Sequence, residues 1–442
     1  MYTPMAHQLD GERFLANGEG FKMLHWDMGT GKSGAACLAL KNIDGPVLIL
    51  CQAVALDHWQ RELEIWLEDD PRTVQVIRRS KDEITGEIII VSYSTAVRPI
   101  THANLSDLGF PTVILDEIQN LKNLSSLRTK AVLGYGHFRK YNLVAAAKNI
   151  FGLSGTPSPN NLSEMYPWLK RFVPDLVPRT LEKFIFKYLT FYNTDWGRTI
   201  TGNNMATMPE LMKTLEPVFF RVIKEEVLHD LPPMQIVDIP ISNGGALRKK
   251  ILDAEKELKE EILAVLDGAM PSEHVARLRR LTEMAKTIGA VEMISQELTD
   301  KSYEKIVVFA HHRSVIGDLA NGLEDFGVSV VHGGVTGPAR QKAIDQFQND
   351  DNRVFIGQLQ AAGTSITLHA NGRCTNAVVL SLDWVPGNNA QAFARIHRKG
   401  QTGNVYVRCL HLADSLDQHV TATLARKTRM LEQIFGDNNA AA

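Results

Sequence analysis

The sequence predicts an α/β protein made of two tandem parallel-sheet domains with helical insertions between them. Two observations carry this. Short, unbroken apolar runs alternate with helical stretches through the first part of the 442-residue chain, and the same alternation restarts after about residue 300. A third supports them: the residues in between have a different texture, with helical periodicity and, at first, many aromatics and prolines.

In the first part, "PVLILC" (Pro46–Cys51), "EIIIVSY" (Glu87–Tyr93), "PTVILDE" (Pro111–Glu117) and "NIFGLSGTP" (Asn149–Pro157) read as buried strands, because they are short, continuous and apolar. "ALDHWQRELEIWL" (Ala55–Leu67) reads as a helix between two of them, with Trp59 and Trp66 on its packing side. In the last part, "KIVVFA" (Lys305–Ala310), "VSVVHG" (Val328–Gly333), "RVFIG" (Arg353–Gly357) and "NAVVLSL" (Asn376–Leu382) repeat the pattern. Between them, Leu247–Leu266 and Ser272–Leu298 suit a helical hairpin broken near "DGAMPS". The expected plan is a first lobe over 1–232 with a helical insertion at about 162–220, a linker and hairpin over 233–295, a second lobe over 296–436, and a disordered tail over 437–442.

Bulk properties exclude several classes. Hydrophobic residues make up 44% and charged residues 22%, with a net charge of −2, so any nucleic-acid site must be a local basic groove. The four cysteines, Cys37, Cys51, Cys374 and Cys409, lie far apart with no Cys-x-x-Cys spacing, which argues against a zinc ribbon or disulfide framework. No apolar run reaches the roughly 18 residues of a membrane span, and "MYTPMAHQLD" has no signal-peptide pattern. A soluble, cytoplasmic monomer with no membrane partner is the expectation.

"DMGTGKS" (Asp27–Ser33) is the strongest short signal. Its glycines let the backbone turn so that amide groups from Met28 to Ser33, through Gly29, Thr30 and Gly31, face phosphate oxygens. Lys32 would reach the β- and γ-phosphates and Ser33 would hold Mg²⁺. A helix follows at once, so its positive end points the same way. The strict pattern has Gly at position 26, where this chain has Trp26. "VILDEIQ" (Val113–Gln119) puts two acids directly on a buried strand, and charges there need a partner. Asp116 would bind Mg²⁺ and Glu117 would deprotonate the attacking water. The bland alternative is a turn exposing both acids. Near the C-terminus, "QAFARIHRKGQ" spaces Gln391, Arg395 and Arg398 four and three apart, on one helical face. Either arginine suits the γ-phosphate of ATP bound by the other lobe, with Gln391 beside them; surface acids or DNA phosphate compete for each.

Taken in order, these motifs resemble superfamily-two, helicase-fold motors of the Swi/Snf type, over nearly the whole chain. "AHQLDGERFL" is similar to the leading glutamine motif, "DMGTGKS" to motif I, "VLILCQAVALDHWQRELEIW" to motif Ia, "IIIVSYSTA" to motif Ib, "LDEIQNLKN" to motif II and "LSGTPSPNNLSEMYPWLKRF" to motif III. "RVIKEEVLHDLPP" resembles the segment before the inter-domain linker, and "IVVFAHHRSVIGDL", "AAGTSITLHAN" and "QAFARIHRKGQT" resemble motifs IV, V and VI. "VFAHH" and "DWVPGNNAQAFARIHRKGQT" look closest to the compact branch of annealing helicases and fork remodellers. The resemblance implies two RecA-like lobes, ATP and Mg²⁺ as cofactors, and translocation on double-stranded or branched DNA. It implies that Gln8 reads the adenine and that Gly363 lines the nucleotide. It also implies that Ser154, Thr156 and Thr364 link nucleotide to DNA, with Lys122, Arg313 and Arg340 as further backbone contacts. Two departures stand out: Ile118 and Gln119 replace the usual Ala-His, and Thr30 stands where Leu is frequent. The rival readings are a strand-separating helicase and an ATP-gated clamp that turns over little.

Other residues invite plainer readings. His311 and His312 are adjacent at a strand end and point apart, so one is expected packed and one exposed. "RLRR" (Arg277–Arg280) suits a solvated helix face or DNA, Trp384 a cleft wall, and Met205, Met208 and Met212 helix packing.

Overall fold

The computed structural model describes residues 3–194, 197–242, 245–266, 271–335, 337–359 and 366–434. The chain divides into two compact units, Met1–Tyr192 with Thr201–Val227, and Asn193–Ile200 with Leu228–Ala442.

The strands, in chain order, are β1 (Gly20–Trp26), β2 (Val47–Cys51), β3 (Val74–Ile77), β4 (Ile88–Ser92), β5 (Thr112–Asp116), β6 (Asn149–Ser154), β7 (Leu189–Thr194), β8 (Gly197–Asn203), β9 (Phe219–Val222), β10 (Met234–Ile241), β11 (Lys305–Ala310), β12 (Val328–Val331), β13 (Val354–Gln358), β14 (Cys374–Val379) and β15 (Val405–Leu412). The first sheet runs β3-β4-β2-β5-β6-β1-β9 and the second β10-β15-β14-β11-β13-β12, both parallel throughout. Parallel strands need crossovers that cover both faces, which is why β2 and β4 are buried along their whole length. β7 and β8 form a separate two-stranded hairpin.

All eight strands read from the sequence are present. The strands not read carry charge or lie at an edge. β1 contains Lys22 and His25, β15 contains Arg408 and His411, and β3 is an edge strand of four residues. β10, with only Ile236 and Ile241 buried, pairs with β15 at the edge of the second sheet, so the stretch read as linker opens with a strand. Arg408 is accommodated because its Nη2 donates to Glu297 at 2.9 Å and its guanidinium lies 5.2 Å from the Tyr303 ring.

Trp26, the departure from the strict glycine pattern, has a packing reason. It is fully buried, and its ring sits where a Cβ at Gly11 would be, 2.5 Å away. The helix Ala6–Ala16 therefore needs glycine there to lie on β1. In the second unit the helix Glu273–Thr299 opens on Ser272, whose side chain accepts from Val275 N. Arg277 and Arg280 on it are exposed, but Arg279 packs 5.1 Å from the Trp384 ring and donates to Leu382 O. "RLRR" is thus not one uniform solvated face. Met208 is buried and Met212 half-buried, whereas Met205 is exposed. Among the described residues, no helix is long and apolar enough to cross a membrane.

Candidate functional site

The first unit gathers its chemistry at the carboxyl ends of its parallel strands, where such sheets place ligands. After β1 the chain turns through Gly29 (φ 84°) and Gly31 (φ 86°) into the helix Lys32–Ala39. Both angles are left-handed, so both glycines are required by the turn. Thr30 is fully buried. Its hydroxyl donates to Asp27 O at 2.7 Å, and its carbonyl lies 2.7 Å from His7 Nε2. Asp27 accepts from Arg221 Nη2 (2.6 Å) and from Lys224 N (2.8 Å), which ties the loop to β9 and the residues after it. Gln8 is buried against the same loop: its Nε2 donates to Gly31 O at 3.1 Å, and its Oε1 accepts from Met5 N. Lys32 folds back, donating to the carbonyls of Trp26 (2.9 Å) and Asp27 (3.1 Å). Burial brings the Lys32 ammonium down to about 8, against the upward pull of Glu117, Asp27 and Asp116.

At the end of β5, Asp116 and Glu117 face this lysine's field. Burial, then the neighbouring Glu117, pushes the Asp116 carboxyl up to about 7. Trp59 Nε1 donates to Asp116 Oδ2 at 2.9 Å, and Tyr93 Oη donates to the Asp116 carbonyl at 2.9 Å. Glu117 sits in the left-handed region (φ 49°, ψ 58°), unusual for a non-glycine residue and characteristic of functional turns. Its carboxylate accepts from Gln119 Nε2 at 2.6 Å. Gln119 Oε1 in turn accepts from Ser154 Oγ at 2.7 Å, and Ser154 Oγ accepts from Thr156 N at 2.9 Å. A chain of hydrogen bonds therefore joins motif II to motif III.

This donor set fits a hard divalent cation. A hydroxyl (Ser33) on the first turn of a helix and a carboxylate (Asp116) are oxygen ligands of the kind Mg²⁺ takes. Burial is the main cause of the raised Asp116 carboxyl, with the charge of Glu117 second, and a cation between the two acids would offset both.

In the second unit the helix Pro386–Phe393 ends before the arginines. Gln391 is on it, half-buried, but Arg395 and Arg398 lie in the turn that follows, so the three do not share one helical face. The helix stops because the next residues are held elsewhere. Arg395 O accepts from Leu368 N at 2.7 Å, His397 Nε2 lies 2.7 Å from Pro232 O, and Gln401 Nε2 donates to Cys374 O at 2.7 Å. Arg395 is buried; Arg398 is half-buried and donates to Ile366 O and Thr367 Oγ1.

The remaining expected residues scatter. Ser154, Thr156 and Arg340 are buried; Ser154 and Thr156 belong to the hydrogen-bond chain beneath motif II, and Arg340 lies on the helix Gly337–Asn349. Lys122 pairs with Glu164 at 2.6 Å, and Arg313 is exposed. Gly363 and Thr364 lie outside the described residues. His311 and His312 are both half-buried, and His312 Nδ1 lies 2.5 Å from the buried Glu283. Sequence reasoning missed Trp59, Tyr93 and Arg221 as site residues, and it noticed Gln119 only as a departure.

A glycine loop opening a helix after β1, two acids at the end of β5, two strands along the sheet, and a second parallel-sheet unit define a P-loop ATPase of helicase-like build. The family models agree: the SNF2-related domain matches residues 15–277 and the helicase conserved C-terminal domain matches 289–400. The chain belongs to the SNF2-related family of helicase-like ATPases. It is 28% identical over 437 residues to the SWI/SNF-related matrix-associated actin-dependent regulator of chromatin subfamily A-like protein 1 of Xenopus tropicalis. It is 28% identical over 439 residues to the DNA annealing helicase and endonuclease ZRANB3 of Mus musculus. These matches cover 97% and 96% of this chain but only 44% and 40% of the relatives, so the chain spans less than half their length. Among solved structures, the SWI2/SNF2 ATPase core of Sulfolobus solfataricus in complex with dsDNA aligns over 98% of this chain and 93% of its own, at 21% identity and TM-score 0.45.

Proposed function

We propose that the chain is a monomeric motor that couples ATP hydrolysis to movement along double-stranded DNA, remodelling or annealing it or displacing bound protein. The observation that carries this reading is the division of catalytic groups. The P-loop lysine and the paired acids belong to the first unit, and the cations Arg395 and Arg398 belong to the second. The likeness to a DNA annealing helicase supports DNA as the track.

In this reading Lys32 leaves its two carbonyls to hold the β- and γ-phosphates, and the Gly29–Ser33 amides cradle them. Gln8, against the loop, reads the adenine. Mg²⁺, held by Ser33 and Asp116, supplies neutralisation of the phosphate charge. Glu117 takes the proton of the attacking water, and Arg395 and Arg398 stabilise the charge that develops as the γ-phosphoryl leaves, with Gln391 alongside. Gly363 and Thr364 link the nucleotide to the DNA groove, while Lys122 and Arg313 hold DNA phosphate without regard to sequence. Ser154 and Thr156 act from beneath, through Gln119.

The test is phosphate release with no DNA, with single strands and with duplex. Duplex should stimulate strongly, and Glu117→Gln should lower turnover by about 100-fold or more while nucleotide still binds. Equal rates in all three conditions would remove DNA from the mechanism. One observation favours the strand-separating alternative: Tyr192 on β7 and Phe186 on the helix Leu181–Tyr188 before it are exposed, and Phe186 lies 5.6 Å from the Phe191 ring. Exposed rings can stack on unpaired bases. Displacement of a strand from a tailed duplex, lost in Tyr192→Ala with duplex stimulation retained, would establish it.

A further inference from the structure

Trp59 reads from its sequence position as a packing residue, and most of it is one. It is fully buried on the helix Leu56–Trp66, in the core formed with Leu56, Leu63 and Ile49. A buried indole N–H usually finds an acceptor, although those of Trp26 and Trp168 have none among the described residues. Trp66, seven residues on, finds a local one in Glu62 at 2.9 Å. Trp59 instead reaches across to the end of β5, to the side chain of Asp116.

We propose that Trp59 is a positioning residue for the metal-holding carboxylate: its core-anchored indole N–H fixes the rotamer in which Asp116 meets the Mg²⁺ of a bound nucleotide. The inference rests on the reading of Ser33 and Asp116 as the Mg²⁺ ligands. Three features give it force. Packing on all sides fixes the ring, so the direction of the N–H bond is fixed as well. The acceptor is a carboxylate, which makes this a charge-assisted bond of the stronger kind. Tyr93, itself buried, holds the carbonyl of the same residue, so Asp116 is gripped at both backbone and side chain. Motifs Ia and Ib thus set the geometry of motif II before any ligand arrives. Groups that orient a metal ligand commonly alter metal affinity by about 10–100-fold when removed.

The test is ADP binding to the full chain by calorimetry, once with Mg²⁺ and once in EDTA. Trp59→Phe keeps an aromatic ring and removes the N–H. It should reduce the Mg²⁺-dependent gain in ADP affinity by about 10–100-fold and leave the EDTA affinity within about twofold. A merely structural role would weaken both together or neither. An unchanged Mg²⁺-dependent gain in a folded Trp59→Phe chain overturns the proposal. If the unmutated chain binds ADP equally with and without Mg²⁺, the metal reading itself has failed, and Trp59 has no cation to serve. Should Trp59→Phe not fold, the unmutated protein can be labelled with ¹⁵N at its six tryptophans. One indole signal should move when Mg²⁺ is added to the ADP-bound chain and stay still in Asp116→Asn. No such movement in the unmutated chain overturns the proposal equally.

Discussion

Gln119 occupies the position between base and relay that the family usually gives to histidine. Its amide can donate to Glu117 and accept from Ser154 at once, without any change of charge. Gln119→Leu removes both bonds with little change in volume. Turnover should fall by about tenfold or more while the KM for ATP changes little, because the base loses its orientation and the phosphate cradle does not. Steady-state phosphate release measures both, and an unchanged turnover would dispose of the relay. At this scale the sequence was partly legible. The glycine loop and the two acids announce themselves, since a charge on a buried strand demands a partner. Trp59 does not, because a tryptophan at helical spacing looks the same whether or not its N–H serves a distant carboxylate. Lys305 is equally silent. It opens an apolar strand yet is buried, donating to the carbonyls of Phe347, Asp350 and Asn352 and so closing the end of the helix Gly337–Asn349.

The helix Glu273–Thr299 was legible as a helix, but its task was not. It fastens the β11 end of the second sheet through Glu283, which is fully buried and accepts from His311 N (2.7 Å), His312 N (3.0 Å) and His312 Nδ1. One turn earlier Arg279 reaches Leu382 O and the Trp384 ring, just before the helix Pro386–Phe393. Burial alone would raise the Glu283 carboxyl. The bonds from His312 and from His311 N, with the charges of His312 and Arg279, outweigh it and hold the group below its ordinary value. A carboxyl depressed in the folded state contributes stability above its unfolded value of roughly 4.3, and loses it as the pH falls through the folded value. Glu283→Gln should therefore cost about 1.5–3 kcal/mol at pH 7. The difference from the unmutated chain should shrink progressively as the pH falls from the unfolded value through the lower folded one. Denaturant unfolding at several pH values checks this, and a pH-independent difference would contradict the assignment. The arginine turn teaches a related lesson. Spacings of four and three suit a helix, but the hydrogen bonds that end the helix at Phe393 come from Leu368 and Gln401, which no local pattern reveals.

On the scale of the whole molecule, each unit has its own sheet and core, so heating should give two unfolding transitions. ADP with Mg²⁺ at 100 times its Kd should stabilise the first by about 2.7 kcal/mol. For units of this size that is a rise of roughly 5–10 °C. If Arg395 and Arg398 clasp the γ-phosphate, a non-hydrolysable ATP analogue should also raise the second transition, whereas ADP should not. Scanning calorimetry distinguishes these outcomes, and an analogue that moves only the first transition would take the arginines out of the nucleotide site. The two-sheet plan was visible early because parallel strands buried on both faces read as apolar runs. The strands that escaped were those with charge inside them or at the sheet edges.

In both sheets, the opening strand of the series lies against the closing one: Met23 of β1 beside Phe219 of β9, and Met234 of β10 beside Val405 of β15. During synthesis, then, each lobe keeps a raw flank until nearly all of it has left the ribosome, and closing that flank bears the full entropy of a long loop. A nascent chain stalled or cut before Val405 holds β10 as an open template for a stranger's strand. Such fragments should be found clumped or degraded, never as a lobe lacking one strip.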